Sequence, residues 1–504
     1  MPDTAYQRLL NRVRGNHLLG ATRAVLDWDQ QTMLPPGGVE FRARQLKQLA
    51  ELSHQRGTAP ELAELLSLCE DQAALLVDPT SDSATNLREI RRSYDRATRL
   101  PRELVAELAE TQSLAQNTWA EARNRDDFES FRPWLEKMVK LMRDKAQCLA
   151  EPGQEEWDAL ADDFEPGVQA SDLHRLFRDL QAELTPLLGD ITNNGSPPAR
   201  RFHQHPAPTD AQERWVRAVA ESMGFDFSRG RLDRSTHPFC SGTHRGDVRL
   251  TTRFHDAFVV DALGSTMHEA GHGIYEQGLP AAHVGTPLGQ ATSLGIHESQ
   301  SRLWENHVGR SEAFWTFCRP LLLKHLGAEF EVYSAAEMYS TANLVTPDFI
   351  RVEADEATYN LHVIVRFELE LAMIRGELEV ADLPGAWREA YRRYLGVEVP
   401  DDTRGCLQDV HWSCGLFGYF PTYTLGNIYA AQFFESAQAA LPDLDDQVAS
   451  GNFAALKHWL NAHIHESGSR FRAADLCERV TGRPADIAPL MRHLEGKLRP
   501  IYQL

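Results

Sequence analysis

Thr266-Met267-His268-Glu269-Ala270-Gly271-His272 is the stretch from which the rest of this chain can be read. The run is compatible with helix, and on a helix positions i and i+4 lie on one face, about 6 Å apart along the axis. Two imidazoles so placed can bind one Zn²⁺, whose bonds to nitrogen run roughly 2.0–2.1 Å. Glu269, beside the first histidine, can then reach a water on that metal and take its proton. The plainer alternative is a helix with two surface histidines and a solvated glutamate. The metal-binding reading predicts hydrolysis of peptide bonds.

A catalytic zinc needs a third protein ligand and one open position. A second helix is predicted to begin at Leu294-Gly295-Ile296-His297-Glu298-Ser299-Gln300-Ser301-Arg302-Leu303-Trp304-Glu305, and its candidates are His297, Glu298 and Glu305. Glu298 lies 26 residues after His272 (298 minus 272), the spacing of a glutamate ligand from the next antiparallel helix. His297 and Glu305 then become supporting or core groups.

Around the motif the chain reads mostly as helix. Residues 41–55, 60–76, 102–123, 131–149 and 171–188 carry apolar side chains at three- and four-residue spacing among good helix formers. Breaks are predicted at 34–38, at 151–153 and through the long polar stretch 193–208. Asp247-Val248-Arg249-Leu250-Thr251-Thr252-Arg253-Phe254 is different, rich in Val, Thr and Phe, and is predicted as a strand. Its edge could pair with an extended peptide, or the strand could pair only within a small sheet of its own.

At 504 residues, length alone suggests two to four domains, although long helical enzymes often form one interdigitated body. The composition, 42% hydrophobic and 25% charged, is that of a globular protein with a large core. A net charge of −20, without any Lys/Arg block interleaved with aromatics, argues against nucleic acid as a partner. No run of 18 apolar residues and no signal-peptide pattern is evident, so neither a membrane span nor export is expected. Seven scattered cysteines without CxxC spacing fit reduced thiols in a cytoplasm.

Four further groups of residues carry chemistry. They are Thr236-His237-Pro238-Phe239; the alternation Asp247-x-Arg249-x-Thr251; Ile350-Arg351-Val352-Glu353-Ala354-Asp355; and Gly405 to Trp412, running on to Gly418-Tyr419-Phe420-Pro421-Thr422-Tyr423. A fixed arginine can clamp a carboxylate through two parallel bonds, and a tyrosine or histidine can support an oxyanion. Taken singly, each is as readily a structural ion pair or a buried aromatic.

Together, in this order, the HPF, DxRxT, HExxH, HESQ, IRxxAD and GxxQDxHW signatures resemble those of peptidase family M32, the carboxypeptidase Taq type. The likeness runs from about residue 15 nearly to the C-terminus, with Val25-Leu26-Asp27-Trp28-Asp29 and Trp157-Asp158-Ala159-Leu160 among its further blocks. The resemblance implies a mainly α, zincin-like fold with a small β-sheet beside the HExxH helix and a deep substrate groove. It implies one peptidase domain over 1–504, with an N-terminal helical part to about 195 and a catalytic part from about 209. It also implies a homodimer that removes single residues from free peptide C-termini with broad preference. Carried over by motif, His268, His272 and Glu298 hold Zn²⁺ or Co²⁺, and Glu269 is general base and acid. Arg351 binds the terminal carboxylate, His411 and Tyr423 hold that carboxylate or the transition state, and His237, Asp247, Arg249 and Thr251 line the groove. The rival readings are a metallo-oligopeptidase of the same ligand class and a non-catalytic helical metal-binding scaffold.

Overall fold

The computed structural model describes residues 4–257 and 259–504. Helices take 69% of the residues and the single sheet among those described has three strands, so the chain is mainly α. It forms two compact units, each assembled from three separate stretches. The first comprises Met1–Ala97, Ala199–Ala342 and Tyr429–Ala485; the second comprises Thr98–Pro198, Asn343–Ile428 and Asp486–Leu504.

Periodicity located the helices well and their ends less well. The helix predicted over 131–149 runs Phe128–Leu149, because the Asp127 side chain accepts from Ser130 N at 3.1 Å and starts it a turn earlier. The one predicted over 171–188 runs Ala170–Asn194, and Leu187, Leu188 and Ile191 stay buried through its last turns. The stretch 60–76 is helical only over Pro60–Glu70, then passes into a short 3₁₀ turn at Ala73–Leu75.

In the first unit, β1 (Gly230–Arg234), β2 (Phe239–His244) and β3 (Asp247–Thr252) form one sheet in the order β1-β3-β2. β1 runs parallel to β3, and β2 is antiparallel to it. The predicted strand is therefore the central one, with both edges already paired. Of the two readings offered for it, pairing within a small sheet of its own holds and an edge open to a peptide does not; the outer edges belong to β1 and β2. Val248 and Leu250 on β3 have no exposed surface, a burial that stabilises by roughly 1.5–3 kcal/mol per side chain.

The helix bearing the HExxH run spans Val259–Gly278 and is buried on most of its circumference, from Val259 and Leu263 to Ile274 and Tyr275. It packs between the sheet and the helix Leu294–Arg302. That second helix starts at Ser293, whose hydroxyl accepts from Ile296 N at 3.1 Å. It ends in a π-helical turn, Leu303–Val308. Gly271 lets the two helices touch: a Cβ there would stand 2.6 Å from the Gln300 carbonyl oxygen and 2.7 Å from Ser301 Cα.

The second unit has as its axis the helix Tyr359–Arg375, buried almost all round. His362, Arg366 and Glu370 form a polar row along it at four-residue spacing, each with no exposed surface.

Candidate active site

His268 and His272 point from one face of the Val259–Gly278 helix, and Glu298 meets them from the next. Glu298 Oε2 lies 3.5 Å from Nε2 of each imidazole. One ligand atom from each of the three residues falls within 4.8 Å of the other two. Donors on a tetrahedral ion at 2.0–2.2 Å stand about 3.3–3.6 Å apart, so the two carboxylate–imidazole separations match a shared divalent metal.

The protonation states of His272 and Glu298 also suit ligation. Burial, and then the neighbouring His297, pull His272 down to about 3, leaving a neutral imidazole. Burial alone would lift the Glu298 carboxyl. Arg302, whose Nε donates to Glu298 Oε1 at 2.7 Å, and the two imidazoles outweigh it, so Glu298 stays ionised well below the usual range. His268 is also drawn down by burial, but Glu298 and a hydrogen bond to Glu305 (Nδ1···Oε2, 2.9 Å) raise it overall. Glu305 is itself held at about 2, since Arg302 and His268 overcome its burial.

Glu269, one residue past the first histidine, is buried. Burial raises its carboxyl most; His268 lowers it, Glu298 and Glu305 raise it again, and it stands at about 7. A carboxyl so poised can accept and return a proton near neutral pH.

A second cluster lies within the second unit. Asp409 bridges two arginines: Arg351 donates from Nε and Nη2 to Oδ1 at 3.1 and 2.8 Å, and Arg366 donates from Nε to Oδ2 at 2.6 Å. Two guanidinium charges against one carboxylate leave a buried excess of one positive charge. Arg366 is saturated by a second contact from Nη2 to Asp409 at 2.6 Å and by bonds to the His362 carbonyl, Tyr391 and Gln408. Arg351 gives a third N–H to Tyr359 Oη at 3.0 Å, which leaves two of its five donors for a ligand. Its guanidinium stands 5.0 Å from the Tyr423 ring centroid. Tyr423 Oη is 3.3 Å from Nε2 of His411. Burial lowers His411 to about 3, Arg351 and Arg366 pulling with it against Asp409, so it is neutral.

The strand residues are differently employed. Asp247 and Arg249 form a bidentate pair at 2.8 and 2.9 Å, with the Arg249 guanidinium over the Trp28 ring at 4.5 Å. Thr251, fully buried, accepts from Phe239 N at 2.9 Å and so ties β3 to β2. His237 is exposed in the turn between β1 and β2.

Known proteins resemble this chain over nearly its whole length. The model of the carboxypeptidase Taq (M32) metallopeptidases matches residues 8–498. The chain belongs to the M32 family. Among M32-type relatives, thermostable carboxypeptidase 1 of Thermus thermophilus is 47% identical over 509 residues, covering 99% of both chains. Carboxypeptidase 1 of Bacillus subtilis is 35% identical over 95% of both. The crystal structure of an M32 carboxypeptidase from Deinococcus radiodurans superposes with a TM-score of 0.95 at 39% identity, each chain covered in full. That of Pyrococcus furiosus carboxypeptidase gives 0.94 at 34% identity over 99% of each.

The sequence reading missed Arg366 and Glu370. Their signal is the row His362-x₃-Arg366-x₃-Glu370, three polar residues on one stripe of an otherwise apolar helix. Both Glu370 oxygens are occupied: Trp157 Nε1 and Gly418 N donate to Oε1 at 3.0 and 2.7 Å, and Trp412 Nε1 donates to Oε2 at 3.0 Å. This carboxylate ties the segment carrying His411 to the Trp157-Asp158-Ala159-Leu160 block.

Proposed function

We infer that this protein is a metal-dependent carboxypeptidase releasing single residues from peptide C-termini, with broad preference. Membership of the M32 family supports the reaction. The observation that carries the C-terminal preference is the buried Arg351–Asp409–Arg366 cluster, whose positive excess and two free Arg351 donors suit a terminal carboxylate.

In this reading His268, His272 and Glu298 hold one divalent ion, Zn²⁺ or Co²⁺, because two imidazoles and one carboxylate suit either. Such an ion supplies Lewis-acid chemistry, polarising a water and the scissile carbonyl. Glu269 takes the proton of the attacking water and delivers it to the departing amine, acting first as base and then as acid. Arg351 orients the substrate through its terminal carboxylate. His411, neutral and beside Tyr423, can donate to the carboxylate or to the carbonyl oxygen as negative charge gathers there. His237, Asp247 and Arg249 shape the approach for the remainder of the peptide, and Thr251, expected from the motif to line the groove, is buried and fixes β3 against β2 instead.

One peptidase domain over 1–504, a homodimer and a cytoplasmic location complete the proposal. The cytoplasm is favoured by seven cysteines, none in a disulfide. No helix among the described residues is long and apolar enough to cross a membrane.

Glu269→Gln tests the chemistry. The variant is expected to bind metal as the parent does while turnover falls about 100-fold or more, the scale of general acid–base catalysis. Turnover near the parent's in a metal-loaded Glu269→Gln protein would remove Glu269 from the mechanism.

A further inference from the structure

His272 offers Nε2 to Glu298 and turns Nδ1 away from it. Nδ1 of His272 lies 2.6 Å from Nδ1 of His297, and Nε2 of His297 lies 2.8 Å from Oε1 of Glu276. A bond between two imidazole nitrogens needs one N–H and one lone pair. A carboxylate only accepts, so His297 donates from Nε2, and a neutral imidazole then has its lone pair at Nδ1. His272 must then donate from Nδ1, which leaves the lone pair of its Nε2 facing Glu298 and His268. Ligation through Nε2 demands the same tautomer, so both ends of the chain give one assignment.

We propose that His297 and Glu276 are positioning residues, a two-bond relay that fixes the tautomer and ring plane of His272 for metal binding. The proposal rests on the assignment of His268, His272 and Glu298 as ligands. β2 presses on the far end of the relay: a Cβ at Gly242 would stand 2.5 Å from Glu276 Oε2, so only glycine leaves the carboxylate where it is. The two histidine ligands are therefore supported unequally. His268 is backed directly by the Glu305 carboxylate, which Arg302 and Arg310 hold at 3.1 and 3.5 Å. His272 is backed by an imidazole, with the anion one ring further away.

The relay makes Glu276→Gln and Glu276→Leu unequal, since an amide oxygen still accepts from His297 Nε2 and a leucine does not. The test titrates Co²⁺ into metal-stripped, full-length protein against a chelator, recording affinity and the visible Co²⁺ spectrum. Circular dichroism of the metal-free forms monitors folding. His297→Phe and Glu276→Leu are expected to weaken Co²⁺ binding about 10- to 100-fold, the usual scale for groups that support a metal ligand, and to change the spectrum. Gly242→Ala is expected to shift both readouts in the same direction, and Glu276→Gln to stay within a few-fold of the parent with the parent's spectrum. Parental affinity and spectrum in folded His297→Phe would overturn the relay, and so would Glu276→Gln as damaged as Glu276→Leu. Failure of the parent protein to bind Co²⁺ would instead overturn the ligand assignment itself.

Discussion

Two buried carboxyls, Glu269 and Glu370, both stand at about 7, for partly different reasons. Burial is the first cause in each; at Glu269 the neighbouring Glu298 and Glu305 add to it, whereas at Glu370 three N–H donors oppose it. Glu370 therefore binds its proton more tightly in the folded chain than in the unfolded one, where it titrates near 4.5. Its contribution to stability is present in full below that value and is lost as pH rises through about 7. Glu370→Gln, fixed in the uncharged state, should gain on the parent by about 2.5 kcal/mol between pH 5 and pH 8. Denaturant unfolding of both proteins at the two pH values checks this, and a constant gap would contradict it. Arg351→Lys keeps the charge but loses the fork. Its kcat/KM on peptides with a free C-terminus is expected to fall about 100-fold with metal content unchanged. An unchanged kcat/KM would remove Arg351 from substrate binding.

At the level of elements, the ligand set depends on two helices in backbone contact. Gly271→Ala would drive a methyl group into Gln300 and Ser301, moving Glu298 off His268 and His272. Metal affinity should fall at least 10-fold while the second unit's buried polar row is untouched; a parental affinity would mean that the helices yield without moving the ligands. Elements like these were legible in the sequence because their signals are local. The His268/His272 spacing, the helix beginning at Leu294 and the apolar periodicity each lie within a few residues. β1 was not legible, since Gly230-Arg231-Leu232-Asp233-Arg234 alternates charge rather than apolar bulk and becomes a strand only by pairing with β3. The π-helical turn that carries Glu305 back toward His268 has no periodic signature either. Arg351 and Asp409 each appeared within a quoted motif, yet their partnership across 58 residues is a tertiary fact. The same holds for Glu370, 213 residues from Trp157.

For the molecule as a whole, a metal held, as proposed, by two histidines and a glutamate from successive helices would bind the folded chain alone. Removing it should therefore lower stability by about 4 kcal/mol at a free-metal concentration a thousand times Kd. Thermal unfolding with and without chelator checks this, and an unchanged midpoint would argue against a resident ion at His268, His272 and Glu298. The central claim is that this chain is a metal-dependent peptidase acting on the free C-terminal ends of peptides. The most direct test incubates metal-stripped, Zn²⁺-loaded and Co²⁺-loaded protein with one peptide bearing a free C-terminus and with its C-terminally amidated twin, followed by mass spectrometry. Stepwise loss of single C-terminal residues from the free peptide alone, and only with metal, is the expected result. Equal attack on both peptides, internal cuts, or cleavage that survives metal removal would contradict it.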